Sequence, residues 1–161
     1  MKSSRTKTTF VKNALIDDDA TNLYEKLKND ISWENGITSK RNGNHPTRKG
    51  KMLSIEDPLF FDIMECVENT LLFFQEKYMV LGAYLNYYEN GENYSPNHSH
   101  ANTQQLIISL GATRTLIIGN KEYKMINGSA IIFGTATHGV PKEPEVKNGR
   151  ISIATFMKKI E

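Results

Sequence analysis

Residues 104–134, "QQLIISLGATRTLIIGNKEYKMINGSAIIFG", decide the fold class. Four short runs rich in Ile, Leu, Tyr and Thr ("QQLIISLG", "TRTLIIG", "KEYKMI" and "SAIIFG") are separated by turn signals, Gly119-Asn120 and Asn127-Gly128 among them. Runs of this length and composition suit a pleated, half-buried surface, and Gly and Asn supply the backbone conformations that tight turns need. Upstream, the switch to this pattern comes at Met79, within "YMVLGAYLNYY" (residues 78–88), and downstream "RISIATFM" closes it. Several short strands at regular spacing predict a β-sandwich or jelly roll.

The segment ahead of the strands reads differently. Residues 16–33, "IDDDATNLYEKLKNDISW", carry Ala20, Leu23, Tyr24, Leu27 and Ile31 at helical spacing, with Asp17 or Asp18 placed to cap the helix. A Gly-, Asn- and Pro-rich stretch over 34–51, "ENGITSKRNGNHPTRKGK", is expected to be a loop, with Trp33 at its edge. A second helix is expected to enter through Asp57-Pro58 and run to about Lys77, with Phe60, Ile63, Met64, Val67, Leu71 and Phe74 on its apolar side. Helices in front of a β-rich half predict an α+β architecture in which the helices buttress one sheet.

At 161 residues the chain is expected to form one domain over 1–161, long enough to bury a full core. No apolar run is long enough to span a bilayer and no signal-peptide pattern opens the chain, so a soluble intracellular protein without a membrane partner is expected; nothing in the sequence suggests more than a monomer. Cys66 is the lone cysteine and cannot form an internal disulfide; its apolar-periodic surroundings predict a buried helix residue. Net charge is only +2, yet Lys40, Arg41, Arg48, Lys49 and Lys51 cluster in the segment up to residue 51. Such a patch suits a polyanion such as nucleic acid; a solvated basic loop explains the charge equally well.

The chemistry-bearing residues sit around the strands. His98 and His100 flank Ser99 just before "TQQLIISLG", so on an extended segment both imidazoles share one face. His138 follows the run "SAIIF", and a jelly roll can bring these strand mouths together, so that three histidines meet at one metal. The remaining histidine, His45, lies in the basic segment without a matching partner. Arg150 and Ser152 share one face of the final strand, and an inward arginine is costly unless it meets an anion, for which a carboxylate is the natural match. Asn86 and Tyr88 share a face of another strand, with Gly91 in the turn beyond. They suit either contacts to the same small acid or local packing of a hairpin.

Taken in order, Asn86-x-Tyr88-x-Asn90-Gly91, His98-x-His100, Ser109-Leu110-Gly111 with Arg114, His138 with the following Val-Pro, and Arg150 with Thr155-Phe156 resemble the pattern of the AlkB-type iron(II)- and 2-oxoglutarate-dependent dioxygenases. The resemblance spans most of the chain. It implies a double-stranded β-helix (a cupin-like jelly roll) over 79–160, with N-terminal helices and a substrate-lid loop over 1–78. It also implies Fe(II), 2-oxoglutarate and O2 as cofactors, and oxidative demethylation of modified bases in DNA or RNA as the activity.

Carried over by position, His98 and His138 are iron ligands, and His100 stands where the family has an aspartate. His98, His100 and His138 thus form the implied catalytic metal site. Arg150 would bind the far carboxylate of 2-oxoglutarate, assisted by Ser152, with Asn86 and Tyr88 on the same molecule. Arg41, Arg48 and Lys49 would hold phosphates of the nucleic acid, and Trp33 or Tyr84 would lie near the base, with a core role the alternative for Trp33. A shifted pairing of His100 with Asn102 leaves a weak amide ligand and spoils the spacing to Asn86. The sequence departs from the pattern at His100 and at Phe156, or Met157 if the strand is aligned on Thr-Phe, where a second arginine is usual. Those departures support two alternatives: a catalytically impaired jelly-roll protein that binds nucleic acid, or a three-histidine metal dioxygenase acting on another substrate without 2-oxoglutarate.

Overall fold

Alternation of inward and outward side chains along antiparallel strands organises the molecule. The structure, a computed structural model, describes residues 7–38 and 46–161. Lys40, Arg41 and His45 therefore lie outside the described residues. In chain order the elements are β1 (Thr9–Val11), α1 (Asp17–Asp30), β2 (Glu34–Thr38), β3 (Pro46–Met52), α2 (Phe60–Leu71), β4 (Tyr78–Tyr88), β5 (Ser95–His98), β6 (Gln104–Gly111), β7 (Arg114–Ile118), β8 (Lys121–Met125), β9 (Ala130–Phe133), β10 (His138–Val140) and β11 (Arg150–Lys159).

Two antiparallel sheets result, one of seven strands in the order β1-β9-β6-β11-β4-β3-β2 and one of four in the order β5-β10-β7-β8. This is the α+β jelly roll expected from the strand pattern. On the outer face of the large sheet, Leu85, Leu106, Ile108, Leu110, Ile151 and Ile153 are fully buried against Ala20, Leu27, Ile63 and Val67 of the two helices. Each such aliphatic side chain contributes roughly 1.5–3 kcal/mol relative to exposure. The inner face packs Ile107, Ile131, Phe133 and Ala154 against Leu116, Ile118, Met125 and Val140. The alternation thus assigns Arg150, Ser152, Ala154 and Phe156 to the space between the sheets. Among the described residues no helix is long and apolar enough to cross a membrane.

Several local expectations need correction. The stretch over 34–51 is not simply a loop: β2 and β3 pair antiparallel, and β3 adds to β4 with Gly50 opposite Asn86. Asp17 does not cap α1. Ile16 holds the cap position without a side-chain bond, while the Asp17 carboxylate accepts a 2.8 Å hydrogen bond from Asn127 in the turn before β9. The second helix ends at Leu71, six residues short of Lys77. There the Thr70 hydroxyl donates to the Cys66 carbonyl at 2.7 Å, and the following amides of Phe73 and Phe74 bond three residues back, tightening the chain out of the α-helix. Strands β1, β5 and β10 were not expected at all.

Candidate active site

The site begins with a short strand pair. In the β5–β10 ladder His98 lies directly opposite His138. Their approach depends on Gly139: a Cβ there would sit 2.5 Å from Asn97 Oδ1 and 2.8 Å from the Ser95 carbonyl oxygen. His100 follows β5 and turns back toward the pair. The ring centroids are 4.3 Å apart for His98 and His138, 5.0 Å for His98 and His100, and 5.6 Å for His100 and His138. One ring nitrogen from each lies within 4.8 Å of the others, and among the described residues this is the one such cluster of histidine, cysteine or acidic side chains.

The ring orientations suit metal ligation. His98 Nδ1 is 2.8 Å from the Pro96 carbonyl oxygen, and His138 Nδ1 is 3.1 Å from that of Ala136. A carbonyl only accepts, so each Nδ1 carries the proton and each Nε2 keeps a free lone pair. Burial, reinforced by the neighbouring histidines, pushes His138 down to about 4, and burial followed by the His98 charge lowers His100. Neutral imidazole is the ligating form. Three imidazoles closing on one ion at about 2.1 Å suit a divalent first-row metal, iron(II) among them, and leave further coordination positions open. The donor set therefore fits the implied metal, with one negative charge fewer than a two-histidine, one-carboxylate site.

Phe133 and Phe156 form the wall behind these rings: Phe133 packs on His138 at 4.8 Å and Phe156 on His100 at 5.1 Å. The cavity that opens beside them, about 200 Å³, is sized for a small organic acid. Arg150 lies in its lining, only 1% exposed. Its Nε donates to Ser109 Oγ at 2.8 Å and its guanidinium carbon lies 5.2 Å from the centre of the Tyr88 ring. No ion pair among the described residues includes Arg150, and its Nη2 has no hydrogen-bond partner. Burial lowers its pKa from the ordinary value.

Arg114 provides an internal contrast. Equally buried and 5.3 Å from the same Tyr88 ring, it is saturated by Glu143 at 3.2 Å and by the carbonyls of Asn90, Asn93 and Pro141. Arg114 ties loops together. Arg150 is a buried cation awaiting an anion, and a bidentate carboxylate fits that need.

The other sequence-derived residues divide. Asn86 and Ser152 line the cavity and are linked, Asn86 Nδ2 donating to Ser152 Oγ at 3.4 Å; Tyr88 lines it too. Arg48 is also in the wall, its Nε donating to Asn86 Oδ1 at 2.8 Å. Lys49 is not in the cavity: it pairs with Glu89 at 3.4 Å, and Lys51 pairs with Glu34 and Asp57. Arg41 lies outside the described residues. Tyr84 lines the cavity, whereas Trp33 packs against the helix-covered core, 5.2 Å from Tyr87, as its alternative assignment had it. Among the lining residues that the sequence pattern did not single out is Gln105. Gln105 is 2% exposed with an unpartnered Nε2, and its only signal was a polar side chain at an inward position of an otherwise apolar strand.

No family model matches the chain, and no curated protein matches it. Solved structures do. An oxidoreductase of the 2OG-Fe(II) oxygenase family from Burkholderia pseudomallei is 16% identical, with a TM-score of 0.68 over 94% of this chain and 85% of that one. OsALKBH1 is 15% identical, with a TM-score of 0.66 over 98% of this chain and 100% of that one. A Trichoplax adhaerens prolyl hydroxylase, solved with a peptide fragment of the hypoxia inducible factor oxygen degradation domain, is 13% identical, with a TM-score of 0.66 over 93% and 82%. What the chain shares with them at these identities is the fold. The fold so defined is the jelly roll that these neighbours share, here carrying a cluster of three histidines placed for a metal.

Proposed function

We propose that this chain is an AlkB-like iron(II)- and 2-oxoglutarate-dependent dioxygenase that oxidatively dealkylates modified bases in DNA or RNA. The observation that carries the proposal is the pairing, in one cavity, of the three-histidine cluster with a buried arginine that lacks an acid. When bound, iron(II) with 2-oxoglutarate and oxygen supplies oxidation of a C–H bond, with succinate and carbon dioxide as co-products. His98, His100 and His138 would hold the metal. Arg150, steadied by Ser109 and Tyr88, would receive the far carboxylate, with Asn86 and Ser152 as neighbouring hydrogen-bonding groups. Ile107, Leu116, Ala154 and Phe156 make the walls apolar and exclude water from the reacting centre. A base must leave its stack to reach such a pocket, and an oxidised N-methyl group then departs as formaldehyde.

Nucleic acid as the substrate rests on the AlkB-type pattern of the sequence, on the likeness to OsALKBH1, and on Arg48 in the cavity wall. His100 in place of a carboxylate and the apolar Phe156 favour a second reading, a three-histidine metal dioxygenase that uses no 2-oxoglutarate; the unpaired Arg150 opposes it. Anaerobic titration with iron(II) and 2-oxoglutarate separates the two. The visible charge-transfer band of a chelated 2-oxo acid is expected, followed by succinate release that depends on an alkylated oligonucleotide. Metal binding without the band would overturn the cosubstrate assignment, and turnover on peptides but on no oligonucleotide would overturn the substrate.

A further inference from the structure

Gln105 occupies a row of its own in the large sheet. It lies opposite Phe133 on β9 and opposite Phe156 on β11, the two rings on which His138 and His100 pack. The row is therefore the floor beneath the candidate metal centre, and Gln105 is the one hydrogen-bonding side chain in it. Arg150 stands at the other end of the inward-facing series along β11, beyond Ser152 and Ala154. The cavity thus has a cation at one end and an amide at the other. Gln105 is only 2% exposed as a residue, and its buried Nε2 has no hydrogen-bond partner. A buried N–H without a partner is destabilising, and an apolar side chain of the same size would avoid that cost, so packing does not account for it.

We propose that Gln105 is a cosubstrate-binding residue whose amide N–H donates to the carboxylate by which a 2-oxo acid chelates the metal. This rests on the 2-oxoglutarate reading of the cavity. A 2-oxo dicarboxylate is anionic at both ends. Arg150 receives the far end, and the carboxylate oxygen at the metal end needs a donor in a region otherwise walled by Phe133 and Phe156.

The test is calorimetric titration of the manganese(II)-loaded protein, without oxygen, with 2-oxoglutarate and with oxalate, which presents only the metal-end group. Gln105→Met is expected to weaken both ligands about tenfold or more, the loss of one charge-assisted hydrogen bond. Arg150→Met is expected to weaken 2-oxoglutarate alone. Metal affinity of Gln105→Met should be unchanged, and its metal-free melting temperature equal to or above that of the wild type, because an unpaired amide has been removed. Gln105→Glu, of the same size, should bind both acids more weakly still through like-charge repulsion. Unchanged affinity for both acids in Gln105→Met, or a lowered melting temperature with unchanged affinity, would overturn the proposal and leave Gln105 a packing residue. Wild-type protein that binds oxalate but not 2-oxoglutarate would instead overturn the cosubstrate reading, while the oxalate comparison still decides the role of the amide. Metal-loaded wild type that binds neither acid overturns both.

Discussion

His98 and His138 face each other across the β5–β10 ladder with ring centroids 4.3 Å apart, and Gly139 sets how closely the two strands lie. Because the Ser95 carbonyl would be 2.8 Å from an added Cβ, Gly139→Ala must push β5 outward and carry His98 with it. The expected result is at least a tenfold loss of manganese(II) affinity and about 1–3 kcal/mol of stability, the usual cost of overpacking. Calorimetry and urea unfolding check it; native metal affinity would show that the strand pair does not set the site.

His100→Asp returns an anion to the cluster. Attraction between a carboxylate and a divalent cation at ligand distance should tighten iron(II) binding by on the order of tenfold or more. Anaerobic metal titration reads this directly. If affinity rises while succinate formation falls, the third imidazole is a working adaptation rather than a weakened ligand.

Arg150→Met removes the unpaired buried cation and keeps much of its volume. In the proposed role 2-oxoglutarate binding should weaken about ten- to a hundredfold, the worth of charge-assisted hydrogen bonds. Metal binding should be retained and the unliganded protein should be no less stable, since no acid is stranded. Undiminished affinity for 2-oxoglutarate in a titration would remove Arg150 from the cosubstrate site.

The buried imidazole of His138 makes stability depend on pH. Its pKa falls from 6.5 to about 4 in the folded, metal-free protein. Between those values the unfolded chain binds a proton that the folded chain does not, so stability declines as pH drops from 6.5 toward 4 and levels off below. The loss from this group is about 3 kcal/mol at most. Urea unfolding of metal-free protein across this range should show a slope that His138→Asn reduces; an identical slope in the variant would contradict the assignment.

Much of this architecture is legible along the chain because its causes are local. Alternating apolar residues and turn chemistry identify β4, β6, β7, β8, β9 and β11, and the helical spacing of Ala20, Tyr24 and Leu27 identifies α1. The same alternation put Arg150 with Ser152, and Asn86 with Tyr88, on shared strand faces; the packing of the two sheets turned those faces inward. By contrast, "SPNH" and "HGV" have little intrinsic strand preference and become β5 and β10 through the backbone groups that neighbouring strands offer them. The strands within 34–51 likewise owe their pairing to the exposed edge of β4.

The sequence alone determined the α+β class, the histidines ahead of and after the strands, and that Arg150 shares a strand face with Ser152, since strand periodicity is written residue by residue. Only the tertiary structure decided which buried polar groups are satisfied. Arg114 and Arg150 are the same residue at the same depth, yet one is saturated by partners scattered over residues 90–143 and the other is not. Gln105 looks like any glutamine until the sheet sets it between Phe133 and Phe156 beneath the histidines. Hydrogen-bond satisfaction is a property of three-dimensional neighbours, and spacing along a chain does not specify those neighbours.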